Sequence, residues 1–502
     1  MIISLQTHSS PADVLIIPVA QTDGLLEQLA RLADSVGLPT RVLQADFKAE
    51  PNELFSQYQP DGSRVFLLGL GKEPGSLDWL RTFRKLFFTQ KTKLPLAVTI
   101  DLTGFAGAVA ESVVLGVLGG GYDLRLYQTD KTDLSAFYAE EGRLTVLTTP
   151  AEQETAQAAL MRGEVLAQTQ RQMLDLMNAP ANYKNPQTLA DWALTSGQAH
   201  GYKVTVLDAD ALAEQGLGAL LSVARGSEVA PVLIIAEYTP QPDDPSAQPA
   251  WPRVGLVGKG VTFDTGGISI KTSANMHLMK SDMGGGAAVL GTIEVAARLK
   301  LPVHLIGIVP ATENSVDGRS TKPGDVVTAY SGKTIEIIDT DAEGRVILAD
   351  GLGYMIRNFQ PDVLIDLATL TGSVIAALGY HAAGLFTQND ELAAQLITAA
   401  NETGERLWRM PLWDAYKEDI KSDVADVKNF SGKPLAGSIS AAKFLEVFAE
   451  GHPAWAHLDI AGMAFADTEF GQQKNATGFG IRLLVDYLRR LSAKHSETKS
   501  GY

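Results

Sequence analysis

The sequence predicts an α/β protein of two domains, and three observations carry that reading. At 502 residues the chain is longer than one typical domain. Its first 150 residues alternate apolar strand-like runs with helical patterns, which is the order of a layered α/β fold. A stretch over 151–177, rich in Ala, Gln, Glu, Leu and Arg with few breakers, reads as one extended helix, and the alternation resumes beyond it. The expected organisation is a smaller N-terminal α/β domain over 1–150 with no site motif, a joining helix over 151–177, and a larger α/β domain over 178–502.

In the first domain the strand-like runs 14–19, 64–70 and 96–100 are each followed by a helical pattern, at 24–35, 77–90 and 105–118. A further β-type run lies at 144–147. After the long helix comes the turn-rich segment 178–186, Asn-Ala-Pro-Ala-Asn-Tyr-Lys-Asn-Pro, and Pro186 suits the first turn of a following helix because that position needs no amide donor. Runs at 203–207, 232–238, 254–257, 303–309 and 363–367 then read as strands, with helical patterns at 287–299, 346–357 and 390–401 between or after them. The segment 239–252, with five prolines, reads as an exposed loop. No internal repeat or heptad run is present.

Composition narrows the function classes. A formal charge of −16 and a pI near 5.0 weigh against a general nucleic-acid or anionic-membrane surface. No run of 18 apolar residues occurs, and the start has no basic region ahead of its apolar stretch, so a cytoplasmic, unanchored protein is expected. With no cysteine there is no thiolate site, and none of the eight histidines stands in a paired metal-binding spacing. Any metal here would be held mainly by oxygen.

The oxygen is concentrated in two places. Residues 339–345 read Asp-Thr-Asp-Ala-Glu-Gly-Arg, three carboxylates and a guanidinium in seven residues, behind the apolar run 335–338. Carboxylates so crowded raise one another's pKa unless a strong positive charge sits among them, and a divalent metal is the usual one. About eighty residues upstream, GKGVTFDTGGISIK at 258–271 and KSDMGGGAAV at 280–289 add Lys259, Asp264, Lys271 and Asp282. Ligands of open α/β sheets bind outside the carboxyl ends of strands, so loops after 254–257 and 335–338 are expected to face one crevice, with Asp282 entering from the start of a helix near Gly285.

Four carboxylates with at most one nitrogen ligand suffice for two divalent cations if some of them bridge, and the reaction class implied is metal-assisted hydrolysis of an amide or ester. A ligating lysine must be neutral; a charged one would instead stabilise an oxyanion, and spacing leaves open which of Lys259 and Lys271 does which. Gly-Lys-Gly at 258–260 lacks the spacer and the Ser or Thr of a phosphate loop. Gly266, Gly267 and Gly284 to Gly286 fit either an anion cradle or close backbone packing. Met276 and Met279 suit either a pocket or a core, and His277 and His457 read as ordinary surface or core histidines.

These motifs, with ATLTG at 368–372 and WAHLDIAG at 455–462, resemble the leucyl aminopeptidase (cytosol aminopeptidase) family of two-metal exopeptidases. The family signature Asn-Thr-Asp-Ala-Glu-Gly-Arg is matched at six of seven positions, Asp339 replacing its asparagine. The likeness covers the chain from about Asn178 onward. It implies a catalytic domain with a mixed central sheet flanked by helices, in a hexamer. It also implies that Asp264 and Glu343 bridge the metals, that Lys259 and Asp282 bind the tighter one, and that Asp341 binds the more exchangeable one. The ions would be Zn²⁺ or Mn²⁺, with Mg²⁺ and Co²⁺ as further candidates.

By the same resemblance Lys271 takes the electrostatic role, and Arg345, with Ala342 and Gly344 beside it, holds a bicarbonate that serves as general base. A guanidinium fork matches a carbonate edge. Met279, Thr369, Leu370, Gly372 and Ala461 would shape the pocket for the first residue of a peptide with a free N-terminus, leucine and other apolar residues being favoured. Asp339 either caps a turn, as asparagine also does, or alters metal choice. Two other readings are a two-metal dipeptidase or carboxypeptidase and a non-catalytic role such as DNA binding.

Overall fold

Apolar strand-like runs and the helical stretches between them become the expected layers, and the computed structural model describes every residue except 9–11, 131–133, 243–250, 469–470, 472 and 501–502. The chain divides into two compact units, Met1–Arg171 and Gln172–Tyr502. The 26-residue helix Gln153–Asn178 spans the point of division.

The first unit is built on six strands, β1 (Ile2–Gln6), β2 (Val14–Ala20), β3 (Leu54–Tyr58), β4 (Arg64–Gly71), β5 (Ala97–Asp101) and β6 (Arg143–Leu147). They lie in the order β1-β6-β5-β2-β4-β3, and every pair is parallel except the β3–β4 edge. The crossover helix Ser76–Gln90 starts where the Asp78 carboxylate accepts the Gly75 amide proton, and it buries Trp79, Phe83, Leu86 and Phe87 in the core beneath the sheet. The strand β3 and the edge strand β1 had no counterpart in the sequence reading.

In the second unit Pro186 does open a helix, Pro186–His200, with the Asn185 side chain accepting from the Thr188 amide at 3.0 Å. The strands that follow are β7 (Lys203–Leu207), β8 (Val232–Tyr238), β9 (Arg253–Gly258), β10 (Gly260–Asp264), β11 (His304–Asn314), β12 (Val326–Thr328), β13 (Thr334–Glu336), β14 (Val363–Ala368), β15 (Ala383–Phe386), β16 (Leu407–Arg409), β17 (Val427–Lys428) and β18 (Trp455–Asp459). Nine of them form one mixed sheet, β16-β15-β18-β14-β9-β11-β8-β7, with β10 added on β11. Central strands β9, β11 and β14 are buried along nearly their whole length, as strands covered on both faces must be. Helices Gly284–Arg298 and Glu343–Phe359 both pack on β9 and β11 and are themselves almost wholly buried.

Two sequence expectations are corrected. The run 335–338 is not a strand of the central sheet: β13 lies in a separate three-stranded sheet, β12-β13-β17. Its alternation of buried Ile335 and Ile337 with half-buried Glu336 and Ile338 fits a strand with one covered face, unlike β9 and β14, which are buried at every position after the first. Asp264 does not sit in a loop after β9; Lys259 alone separates β9 from β10, and Asp264 ends β10. Most of the proline-rich segment, 243–250, lies outside the described residues.

The helix Glu343–Phe359, which carries Glu343 and Arg345, is pinned by its buried Asp350. One carboxylate oxygen accepts the Leu220 amide at 2.8 Å and the other the Tyr330 amide at 2.7 Å. Burial pushes this carboxyl up to about 7, above its unfolded value of about 3.9. The folded state therefore binds the extra proton between those values, and stability from this group, full below about pH 4, is lost as pH rises through about 7. In urea unfolding, the stability advantage of the wild type over Asp350→Asn is expected to shrink between pH 5 and pH 8 by about 2 to 4 kcal/mol. A constant or widening advantage would contradict this protonation.

Candidate metal centre

The junction of β9, β10 and β14 brings the carboxylates together. The Lys259 amide donates to the Leu367 carbonyl at 3.0 Å, and the Lys259 carbonyl accepts the Gly286 amide at 2.8 Å. The start of the helix Gly284–Arg298 is thereby laid across the strand ends. Close packing explains the glycines there: a Cβ on Gly285 would stand 2.0 Å from the Leu367 carbonyl oxygen. Asp282 is set two residues ahead of that helix, at the end of the 3₁₀ turn Met276–Ser281. Glu343 is the first residue of its own helix, where the exposed amide ends favour a carboxylate.

Asp264, Asp341 and Glu343 offer oxygens that all lie within 4.8 Å of one another. Lys259 Nζ stands 2.7 Å from both Asp282 Oδ2 and Glu343 Oε1, and it donates to the Thr369 carbonyl at 3.1 Å. Lys271 Nζ stands 2.7 Å from Asp264 Oδ2 and also pairs with Asp341. Gly344 is required by this arrangement, because a Cβ there would come within 2.7 Å of the Lys259 chain that passes over it.

Burial and then mutual repulsion push three of these acids up, Asp282 to about 8 and Asp341 to about 7, with Glu343 raised as well. Burial works against both ammonium groups, yet the surrounding carboxylates together outweigh it and hold Lys259 and Lys271 above the ordinary lysine value. Even so, four acids face two lysines. Asp282 Oδ2 and Glu343 Oε2 are buried and accept no hydrogen bond from the described residues; the 2.7 Å approach of Lys259 to Asp282 is ionic without hydrogen-bond geometry. Orphaned buried oxygens on crowded carboxylates fit oxygen-preferring divalent cations, so this donor set suits a metal centre.

Residues outside the sequence motifs hold the centre in shape. Asn314, at the end of β11, donates to Asp264 Oδ1 at 2.8 Å and to the Thr340 carbonyl at 3.0 Å, tying the two ligand segments together. Buried Asn429 accepts the Ile338 and Asp339 amides at 2.8 and 3.2 Å and donates to the Asp339 carbonyl. Its own carbonyl accepts Arg345 Nη1 at 2.8 Å. Lys184, fully buried and pushed down to about 7 by that burial, donates to the carbonyl of Lys280, two residues before Asp282. None of these could be found by spacing, since each is an isolated polar residue whose burial only the fold reveals.

A cavity of about 790 Å³ opens on the cluster. It is lined by Lys259, Asp264, Lys271, Asp282, Asp341 and Glu343, and also by Met279, Thr369, Leu370, Gly372 and Ala461. Asp459 shapes that wall: its Oδ1 accepts the Leu370 and Ala461 amides at 3.1 and 3.2 Å, and its Oδ2 accepts the Thr371 hydroxyl at 2.6 Å. Ala342, Gly344 and Arg345 are buried and are not among the lining residues. Arg345 Nε has no hydrogen-bond partner among the described residues, and burial pushes that guanidinium down to about 10. Asp339 accepts the Asp341 amide at 2.9 Å, the turn-capping bond that asparagine would also make. Met276 and His277 both line the cavity, whereas His457 is fully buried, its Nδ1 2.6 Å from Asp366 Oδ1.

The Asn429 clamp is expected to govern metal affinity. Asn429→Ala should weaken divalent-metal binding about 10- to 100-fold, the usual effect of removing a group that orients ligands, as read by competition with a fluorescent chelator. An unchanged dissociation constant would show that the loop holds itself.

Residues 172–485 match the profile of the cytosol aminopeptidase family, catalytic domain. A probable cytosol aminopeptidase of Chloroherpeton thalassium is 43% identical, the alignment covering 96% of this chain and 97% of that one. One of Geobacter sp. is 43% identical over 85% of this chain and 86% of its own. Among solved structures, the cytosol aminopeptidase of Coxiella burnetii superposes with a TM-score of 0.81 at 32% identity, covering 97% of this chain and 99% of that one. The bottromycin maturation enzyme BotP in complex with Mn gives a TM-score of 0.82 at 32% identity over 96% of this chain and 100% of that one. The fold, the acidic centre and these likenesses agree: the chain belongs to the cytosol aminopeptidase family of metal-dependent exopeptidases.

Proposed function

We propose that this aminopeptidase removes leucine and other apolar residues from the N-termini of peptides at a two-metal centre, in which Asp264 and Glu343 are shared. Lys259 and Asp282 would complete one metal position and Asp341 the other. The supporting observation is the convergence of four carboxylates and two lysines at one cavity whose remaining wall carries Met279, Leu370 and Ala461. Asp341 has the most exposed of the four side chains, 34% against 8% or less for Asp264, Asp282 and Glu343, which suits the more exchangeable position. When bound, the two cations would supply a nucleophilic water at neutral pH and polarise the scissile carbonyl.

The chain's own groups do the rest. Lys271, 22% exposed and facing the cavity, can turn its ammonium from Asp264 and Asp341 to the oxygen that becomes negative as the carbonyl is attacked. Arg345, with a buried Nε that has no partner among the described residues and a backbone anchor on Asn429, would hold a bicarbonate flanked by Ala342 and Gly344, and that ion would supply a proton acceptor. The acidic centre receives the substrate's free amine, which restricts cleavage to the first residue. Thr369 and Gly372, on the segment braced by Asp459, border that position.

Leucine anilide is expected to be hydrolysed, and both a chelator and Glu343→Ala should lower kcat/KM by at least about 10³-fold. Undiminished hydrolysis by the variant would contradict the assignment of the centre. N-acetyl-leucine anilide should be inert, because it lacks the amine; its cleavage would favour a different two-metal peptidase. Lys271→Met should lower kcat about 10²- to 10³-fold with little change in KM, the signature of a contact made in the transition state. A rise in KM alone would instead make Lys271 a binding group.

A further inference from the structure

Three lysines line the cavity, and two of them are committed to carboxylates. The third, Lys474, forms no ion pair with a carboxylate among the described residues. Its Nζ stands 3.1 Å from the centroid of the Tyr380 ring, which also lines the cavity and is 44% exposed. Both residues are held from behind. Asn475, next to Lys474, is buried and exchanges two backbone hydrogen bonds with Asp467, at 2.9 and 3.2 Å, and the following Ala476 amide donates to Asn178 Oδ1. Tyr380 follows Gly379, whose left-handed φ of 62° turns the chain off the helix Gly372–Leu378.

An ammonium in the substrate cavity that is paired with no carboxylate among the described residues is a site for an anion. The other charged groups of this cavity form the acidic centre that takes a substrate's amine. We propose that Lys474, steadied on Tyr380, recognises a carboxylate carried by the peptide beyond its first residue, so that the cavity reads opposite charges on one short substrate. The carboxylate is either the C-terminus of a di- or tripeptide or an acidic side chain. This subsite rests on the aminopeptidase reading above.

The test compares kcat/KM on Leu-Gly-Gly with its C-terminal amide, and on Leu-Glu amide with Leu-Gln amide, for wild type, Lys474→Met and Lys474→Arg. Wild type is expected to favour the charged member of at least one pair about fivefold, the scale of a partly exposed ion pair. The pair that responds identifies the source of the carboxylate. The preference should shrink as salt rises, vanish in Lys474→Met and persist in Lys474→Arg. Equal rates within both pairs by a wild type that cleaves leucine anilide would overturn the subsite alone, as would a preference retained by Lys474→Met. Failure to cleave leucine anilide would overturn the underlying reading with it.

Discussion

Charge balance at one buried cluster is the constraint on which the rest of the catalytic unit depends. Asp264, Asp282 and Glu343 are almost wholly removed from water, and Asp341 is two-thirds removed. Asp282, Asp341 and Glu343 resist ionising in this setting, because burial and repulsion both favour their neutral form. Lys259 and Lys271 bring in two positive charges, and the buried oxygens that still lack a partner mark where more is needed. An oxygen-rich set with this deficit is suited to divalent cations. The same crowding dictates local sequence: Gly344 lies under Lys259, and Gly285 lies against the end of β14, because no side chain would fit.

Carboxylates held so close need a rigid frame, and it is made of buried polar side chains and backbone. Asn314 links the end of β10 to the turn before Asp341, and Asn429, just past the end of β17 and some ninety residues away, closes that turn. Asp459 does the same for the opposite wall, gathering the amides of Leu370 and Ala461 on one oxygen. Each of these groups is fully buried with its hydrogen bonds made, so each adds specificity of shape without adding an unsatisfied charge.

Much of this architecture was legible in the sequence, for reasons that differ by element. Strands β8, β9 and β14 are mostly apolar runs, and the helix Gln153–Asn178 is long with few breakers; such patterns survive without tertiary context. Metal-seeking carboxylates were visible because their density in 339–345 has no ordinary structural purpose. The run 335–338 was misplaced because four residues cannot say which sheet they join, and the alternation that marks a one-faced strand is clear only once burial is known. Asn314, Asn429 and Lys474 were invisible for a plainer reason: an isolated polar residue signals nothing until the fold shows what it touches. Asp339 stood out as a departure from the family pattern, and its bond to the Asp341 amide assigns it the turn-capping role that asparagine would share.

The most direct measurement is anomalous diffraction from crystals of the protein grown with Mn²⁺. Two peaks are expected in the space bounded by Asp264, Asp282, Asp341 and Glu343, with Asp264 and Glu343 touching both. The Lys259 and Lys271 ion pairs to these acids should be rearranged in that state. No peak at saturating Mn²⁺, with Lys259 still paired to Glu343 and Lys271 to Asp264, would show that the lysines alone settle the charge and would contradict a two-metal centre.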